Sequence, residues 1–217
     1  MIAAHQTMLA PPALPYDAEV EYIESTGTQY VDTGYYPNNT TTCKMSFKVI
    51  SQLNKHFNAL FFCGDAYNSA NAYGAASNMT YGEAGTSKKI NIYRTSSAVN
   101  VYLGNPNLSR NVRYDITLGT SNATITDGTN TYNSTFTSAT FPTTARSLYV
   151  LCGNTGTADL AEIGNIMLFS FQIFESGVLV RDFQPVRVGQ VGYIYDRVSG
   201  TLFGNAGTGA FPIGPDK

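Results

Sequence analysis

At 217 residues, with 43% hydrophobic and only 13% charged residues, the chain has apolar material for one sizeable core and sits well below the usual charged fraction of about a quarter. A net charge of −2 leaves no basic footprint for nucleic acid, and no run approaches the ~18 apolar residues of a membrane span. Much of the remainder is Thr, Asn, Ser and Gly, a mixture that favours strands and turns over helices.

Met1–Asp17 reads as an extended arm. Pro11, Pro12 and Pro15 block helix and favour polyproline conformation. Its apolar side chains, Ile2, Met8, Leu9, Leu14 and Tyr16, follow no period that a single element would bury. Such a segment is expected to need another surface for order, its own domain or a neighbouring subunit. Met1–Leu14 also lacks the basic start and unbroken apolar stretch of a secretory signal, so with Met1 retained Sec-type export is not expected.

The folded domain is expected over residues 18–217, with no internal repeat and no second domain. Val20–Ile23 and Gln29–Asp32 are β-prone runs, and Glu24–Gly27 between them reads as a turn. Cys43–Ile50 alternates: Met45, Phe47 and Val49 point one way, Lys44, Ser46 and Lys48 the other, the pattern of a half-buried strand. Ala59–Cys63 is a continuous apolar run ending at Gly64, as in an inner strand, and Asp65–Ala76 has no period and reads as a long loop. Tyr81–Gly85, Lys89–Arg94 and Ala98–Leu103 are short strand candidates, with Lys88, Lys89 and Arg94 read as a solvated basic edge. Val112, Tyr114, Ile116 and Leu118 alternate with polar residues. Asp127-Gly128-Thr129-Asn130 between Ala123–Thr126 and Thr131–Phe136 predicts a hairpin. Ser147–Cys152 reads as a strand stopped by Gly153. In Ile163–Phe174, period two sets Met167, Phe169, Phe171 and Ile173 on one face, and Ser176-Gly177 before Val178–Phe183 predicts a second hairpin. About a dozen short strands joined in this way imply two antiparallel sheets packed face to face.

Two blocks carry a family resemblance. The first is VEYIESTGTQYVDTGYYP from Val20, and the second runs from Phe171 through Gly177–Val186 and Val191–Gly200 to Gly204–Gly209. Together they resemble a concanavalin A-like (laminin-G-like) module found in bacteriophage virion proteins and gut-bacterial surface proteins. The resemblance implies an all-β fold, a two-sheet antiparallel jelly-roll sandwich, with its first and last strands adjacent. Val20–Tyr30 would then lie beside Val191–Tyr195 or Leu202–Phe211.

Catalytic machinery is sparse. Only His5 and His56 are present, and no G-x-S-x-G, P-loop or H-E-x-x-H motif occurs. Glu19, Glu21 and Glu24 loosely resemble the acidic strand of laminarinase-like glycoside hydrolases. Alternation puts Glu19 and Glu21 on one face and Glu24 off it, and the structural reading prevails: no enzyme and no catalytic residues. Cys43, Cys63 and Cys152 share no close spacing and read as buried thiols, with a bridge between one pair left open. No cofactor and no metal are expected. Calcium is the one alternative considered, and its candidates Asp65, Asp115, Asp127 and Asp159 are scattered single acids.

Sugar binding is the more open chemistry. Tyr35, Tyr36, Tyr67, Tyr73 and Tyr81 sit in or beside Asn-rich polar stretches, and Tyr offers an apolar face with a polar tip. The expected function is a non-enzymatic virion surface protein of a bacteriophage, a capsid decoration or fibre component, with glycan or host-surface attachment through these tyrosines. Its arm would bind other virion proteins in an oligomer or lattice assembled in the host cytoplasm, without nucleic acid or membrane insertion. A glycan-binding module or adhesin at a gut-bacterial surface is the alternative, and a glycoside hydrolase a distant third.

Overall fold

Strands form where the sequence alternates or runs apolar. The computed structural model describes residues 13–51, 58–64, 72–78, 89–95, 101–102, 109–137, 145–156, 158–159 and 163–217. In chain order the strands are β1 (Ala18–Glu19), β2 (Ile23–Thr26), β3 (Val31–Asp32), β4 (Thr41–Ser51), β5 (Asn58–Cys63), β6 (Ala72–Asn78), β7 (Lys89–Thr95), β8 (Val101–Tyr102), β9 (Arg113–Leu118), β10 (Asn122–Thr126), β11 (Thr131–Thr135), β12 (Tyr149–Val150), β13 (Gly153–Asn154), β14 (Ala158–Asp159), β15 (Asn165–Glu175), β16 (Val178–Val188), β17 (Val191–Asp196) and β18 (Thr201–Phe203). Among the described residues there is no helix, and so none that could cross a membrane.

The strands make an all-β sandwich. The larger sheet runs β11-β10-β9-β4-β15-β16-β17-β18, with β2 beside the first half of β15 and β1 beside β16. The smaller runs β14-β13-β5-β6-β7-β8, with β12 along β5 and β3 along β12. Pairing is antiparallel except between β13 and β5. The Asp127-Gly128 hairpin forms as expected, pairing Thr126 with Thr131. Asp127 Oδ1 accepts the Thr129 and Asn130 amides, and these bonds hold its carboxyl below the usual range.

The core lies between the sheets. Phe171 of β15 meets Phe61 of β5 across the sandwich at 5.2 Å and stacks on Phe183 of β16 at 5.9 Å. Burying one such ring stabilises the fold by about 1.5–3 kcal/mol. At one end the core includes a polar plug. Arg94 of β7 donates to the carbonyls of Thr41 and Asn39, both at 2.6 Å, and lies 5.3 Å from the Tyr73 ring. Arg94 is only 3% exposed, so it is not part of a solvated basic edge; the two carbonyls compensate its charge.

Local readings of the sequence shift in four places. Ala72–Asn78, partly assigned to a loop, is the inner strand β6; residues 65–71 lie outside the described residues, as do Tyr81–Gly85 and residues 98–100 and 103. The expected turn at Glu24–Gly27 overlaps β2, and the chain instead bends at Gly27 and Thr28. Of the strand expected over Ser147–Cys152, only Tyr149–Val150 is strand, because Leu151 takes a left-handed backbone (φ 69°) before Gly153–Asn154 resumes pairing. On β15 the pairing with β4 slips between Leu168 and Ser170. This bulge inserts one residue, so Ile166, Leu168, Phe171 and Ile173 face the core, while Met167 and Phe169 face outward.

The chain ends close the sandwich. Residues 204–217 run antiparallel to residues 19–30. Bridges join Val20 to Asp216 and Ile23 to Ile213, and the Ala206, Thr208 and Gly214 amides donate to the carbonyls of Tyr30, Thr28 and Tyr22. The first segment is thus adjacent to the last one, with residues 204–217 as its partner rather than Val191–Tyr195. Tyr16 and Asp17 already belong to this module: the Tyr16 ring lies 5.0 Å from Tyr195, and the Asp17 carboxylate accepts the Gly189 amide at 2.7 Å. Leu14 is 58% exposed, while Ile2, Met8 and Leu9 lie outside the described residues.

All three cysteines are buried thiols outside any disulfide. Burial pushes the Cys43 thiol up to about 12, against a smaller opposing pull from Tyr73 and Arg94. Since the thiolate is the reactive form, a thiol reagent such as DTNB at pH 8 should leave the native protein unlabelled and release three equivalents after denaturation. Stoichiometric labelling of the native protein would contradict this packing.

Candidate functional site

Glycan recognition needs aromatic faces and hydroxyl partners open to solvent. Of the expected tyrosines, Tyr73 fails this requirement. It lies on β6 rather than in a loop, is fully buried, and directs its hydroxyl at Cys43 Sγ (3.4 Å). Tyr35 is also turned inward, 8% exposed, with its hydroxyl 2.9 Å from Thr41 Oγ1. Tyr67 and Tyr81 lie outside the described residues. Tyr36 is 50% exposed. Just before the two tyrosines, Gly34 takes a left-handed backbone (φ 63°) and its amide donates to Asp32 Oδ1 at 2.9 Å.

The sequence reading left out two aromatics on this side of the sandwich: Tyr149, which the Tyr36 phenol is close enough to perturb, and Tyr30, which stacks on Tyr149. On β3, Val31 points into the core, so its neighbours Tyr30 and Asp32 point out. On β12, Leu148 and Val150 are buried and Tyr149 between them points out. Asp32 and Tyr149 are direct cross-strand partners. The Tyr30 and Tyr149 rings stack at 4.9 Å, 28° from parallel. Burial raises both phenols, and the Asp32 carboxylate raises them further; at Tyr149 the phenols of Tyr30 and Tyr36 add to this. These hydroxyls therefore stay protonated at neutral pH. The Tyr30 amide is fixed by Asn205 Oδ1 (3.0 Å), so the last segment of the chain helps position the patch.

The arrangement offers half-exposed aromatic rings, phenolic donors and one carboxylate acceptor. That set suits the apolar face and the hydroxyls of a sugar ring. Alternation marks Tyr149 as outward, because it sits between buried Leu148 and Val150; Tyr30 lies between polar Gln29 and Val31, and no local pattern joins it to Tyr149.

The three early glutamates all reach the outer face of the larger sheet. Strand pairing is interrupted at Glu21 and Tyr22, so Glu24 does not fall off that face; it pairs with outward Met167. Glu19 is gripped by Arg197 Nη2 at 3.0 and 3.2 Å. With the Asn165 side-chain amide oriented so that its oxygen and nitrogen both find partners, its nitrogen donates to Glu24 Oε1 at 2.7 Å. Glu21 lines a shallow groove with Arg113, Phe169 and Lys217. Among the described residues, no three His, Cys, Asp or Glu side chains come together as a metal site. Asp127 is spent on turn amides, Asp115 faces out from β9, Asp159 lies on β14, and Asp65 is outside the described residues. Compared with known proteins, the chain matches no family model and no curated sequence.

Proposed function

We propose that this chain is a non-enzymatic surface module of a bacteriophage virion, a capsid decoration or fibre component with a concanavalin A-like jelly roll, that attaches to host glycans through Tyr30, Tyr36 and Tyr149. The observation that carries the reading is the pairing of residues 19–30 with residues 204–217. The two blocks behind the family resemblance, distant in sequence, form one hydrogen-bonded unit, and that unit holds Tyr30 beside Tyr149. The module is read as a binder without catalysis, since Glu19 and Glu24 are each engaged by a neighbouring side chain. The residues before Tyr16 are read as the arm that joins other virion proteins.

The test has two arms. On a glycan array, wild type should bind and a Tyr36→Ala, Tyr149→Ala double variant should lose about tenfold or more, since each lost apolar contact face is worth roughly 1 kcal/mol or more. In particle assembly, deletion of Met1–Pro15 should leave the melting temperature nearly unchanged and abolish incorporation. Array binding that survives the double variant would remove the tyrosine patch. Incorporation at wild-type occupancy without the arm would remove the anchor. Glycan binding by a chain that joins no particle would favour the bacterial adhesin.

A further inference from the structure

On the outer face of the larger sheet, the bulge at Leu168–Ser170 projects Phe169 out of the alternation. Arg113 of β9 places its guanidinium carbon over that ring, 4.4 Å from the centroid. Its Nε donates to Ser46 Oγ at 2.7 Å. The Tyr22 ring meets Phe169 edge-on at 5.6 Å, and Lys48 Nζ lies 5.7 Å from the same centroid. Among the described residues, Arg113 is held by the Phe169 ring and one hydrogen bond from Nε, and no hydrogen bond uses its two terminal amino groups, which leaves them for an incoming ligand. Beside it runs the groove of about 290 Å³, lined by Glu21, Arg113, Phe169 and Lys217. Arg113 and Lys217 line this groove with one carboxylate, Glu21, and Lys48 stands at the same ring, while Lys44 and Asp115 add one charge of each sign in the hollow beside it. Lys217 is held below the usual lysine range, chiefly by burial, with Arg197 and Arg113 lowering it further against Glu19 and Glu21. A bound anion would relieve that crowding.

A second hollow, of about 200 Å³, adjoins at Ser46 and is lined by polar groups of Lys44, Asp115, Thr117, Ser170 and Gln172. The registers explain it. Thr117, Lys44 and Gln172 sit in one cross-strand row, and Asp115, Ser46 and Ser170 in the next, so hydroxyl, amide, ammonium and carboxylate groups share the outer face, with Ser46 itself buried beneath Arg113. Hydroxyl-binding groups next to a preformed guanidinium fork match a sugar that carries a carboxylate, because a planar fork binds a carboxylate through two parallel bonds.

We propose that this face is a second binding site, separate from the tyrosine patch, for a uronic acid residue of an acidic saccharide. The carboxylate is held by Arg113, with Lys48 and Lys217 beside it. Ring hydroxyls are received by Glu21 and by the groups around Ser46. The site does not depend on the tyrosine patch, and the two separate in one assay.

The experiment is an amide-shift titration of the full chain with sodium glucuronate, glucose, glucose 6-sulfate and acetate. It uses wild type, Arg113→Gln, Arg113→Lys and the Tyr36→Ala, Tyr149→Ala variant. Glucuronate should shift Ser46, Arg113 and Phe169 saturably, and glucose and acetate should not. Arg113→Gln should weaken glucuronate about ten- to a hundredfold, Arg113→Lys less, and the tyrosine variant not at all. Arg113 is on an outward face, and an unchanged far-UV spectrum and melting temperature verify that its variants fold. Equal binding of acetate or glucose, tighter binding of the sulfate, or glucuronate affinity unchanged in Arg113→Gln would each overturn the proposal.

Discussion

Phe171→Ala should cost about 3–5 kcal/mol of unfolding free energy, enough to lower the melting temperature by roughly 6–20 °C in a chain of this size. Phe171 sits in the middle of β15, fully buried. Its ring joins the two sheets through Phe61 and continues sideways to Phe183, which meets Phe203 edge-on at 5.4 Å. Truncation removes the common member of that chain of rings. The backbone cannot move in to fill the gap, because β15 is pinned at this residue by Met45 on one side and Phe183 on the other. The cavity is therefore retained, and cavity volume adds to the lost transfer free energy. Phe171→Leu should recover much of the loss. Equilibrium denaturation of the three proteins checks this. A Phe171→Ala loss under about 1 kcal/mol would mean the sheets do not meet at this ring.

Gly74→Ala should destabilise by about 2–6 kcal/mol, combining backbone strain with overpacking. Gly74 of β6 has φ +152°, and an added methyl would collide with the Phe61 carbonyl oxygen and lie 2.7 Å from Phe62 Cα. Both obstacles are backbone, so no side-chain rotation relieves them. The glycine also lies between two rings in register, Phe62 on β5 and Tyr93 on β7. With no side chain between them, those rings meet edge-on at 5.3 Å. The variant should show a lower urea midpoint and, if it folds, altered near-ultraviolet dichroism from displaced aromatics. Wild-type stability in Gly74→Ala would show that β5 and β6 do not approach this closely.

The sequence by itself determined the strand class and most of the strands. Alternation in Cys43–Ile50 and Val112–Leu118 assigned the inward residues correctly, because a pleated strand turns every second side chain to the same face and neither strand inserts a residue between Cys43 and Val49 or within Arg113–Leu118. Asp127-Gly128 announced its hairpin because the turn is closed locally, by Asp127 and the next three residues. What failed was decided by contacts from elsewhere in the chain. Gly74 and Tyr73 looked like loop residues because small polar neighbours carry no period, yet β5 and β7 pair with them on both sides. Arg94 looked solvated because an arginine in a polar sequence usually is, but the Thr41 and Asn39 carbonyls await it inside the sandwich.

The candidate sites divide in the same way. Tyr36 was legible as an aromatic in a polar stretch. Tyr30 and Tyr149 were not, since they lie 119 positions apart and only the pairing of β3 with β12 stacks their rings. Nor was the Arg113 groove. Period two assigns Phe169 to the same face as Phe171, and one extra residue on β15 reverses it. A bulge is two residues opposing one on the partner strand, so the outward ring on which Arg113 rests became visible only once β15 was paired with β4.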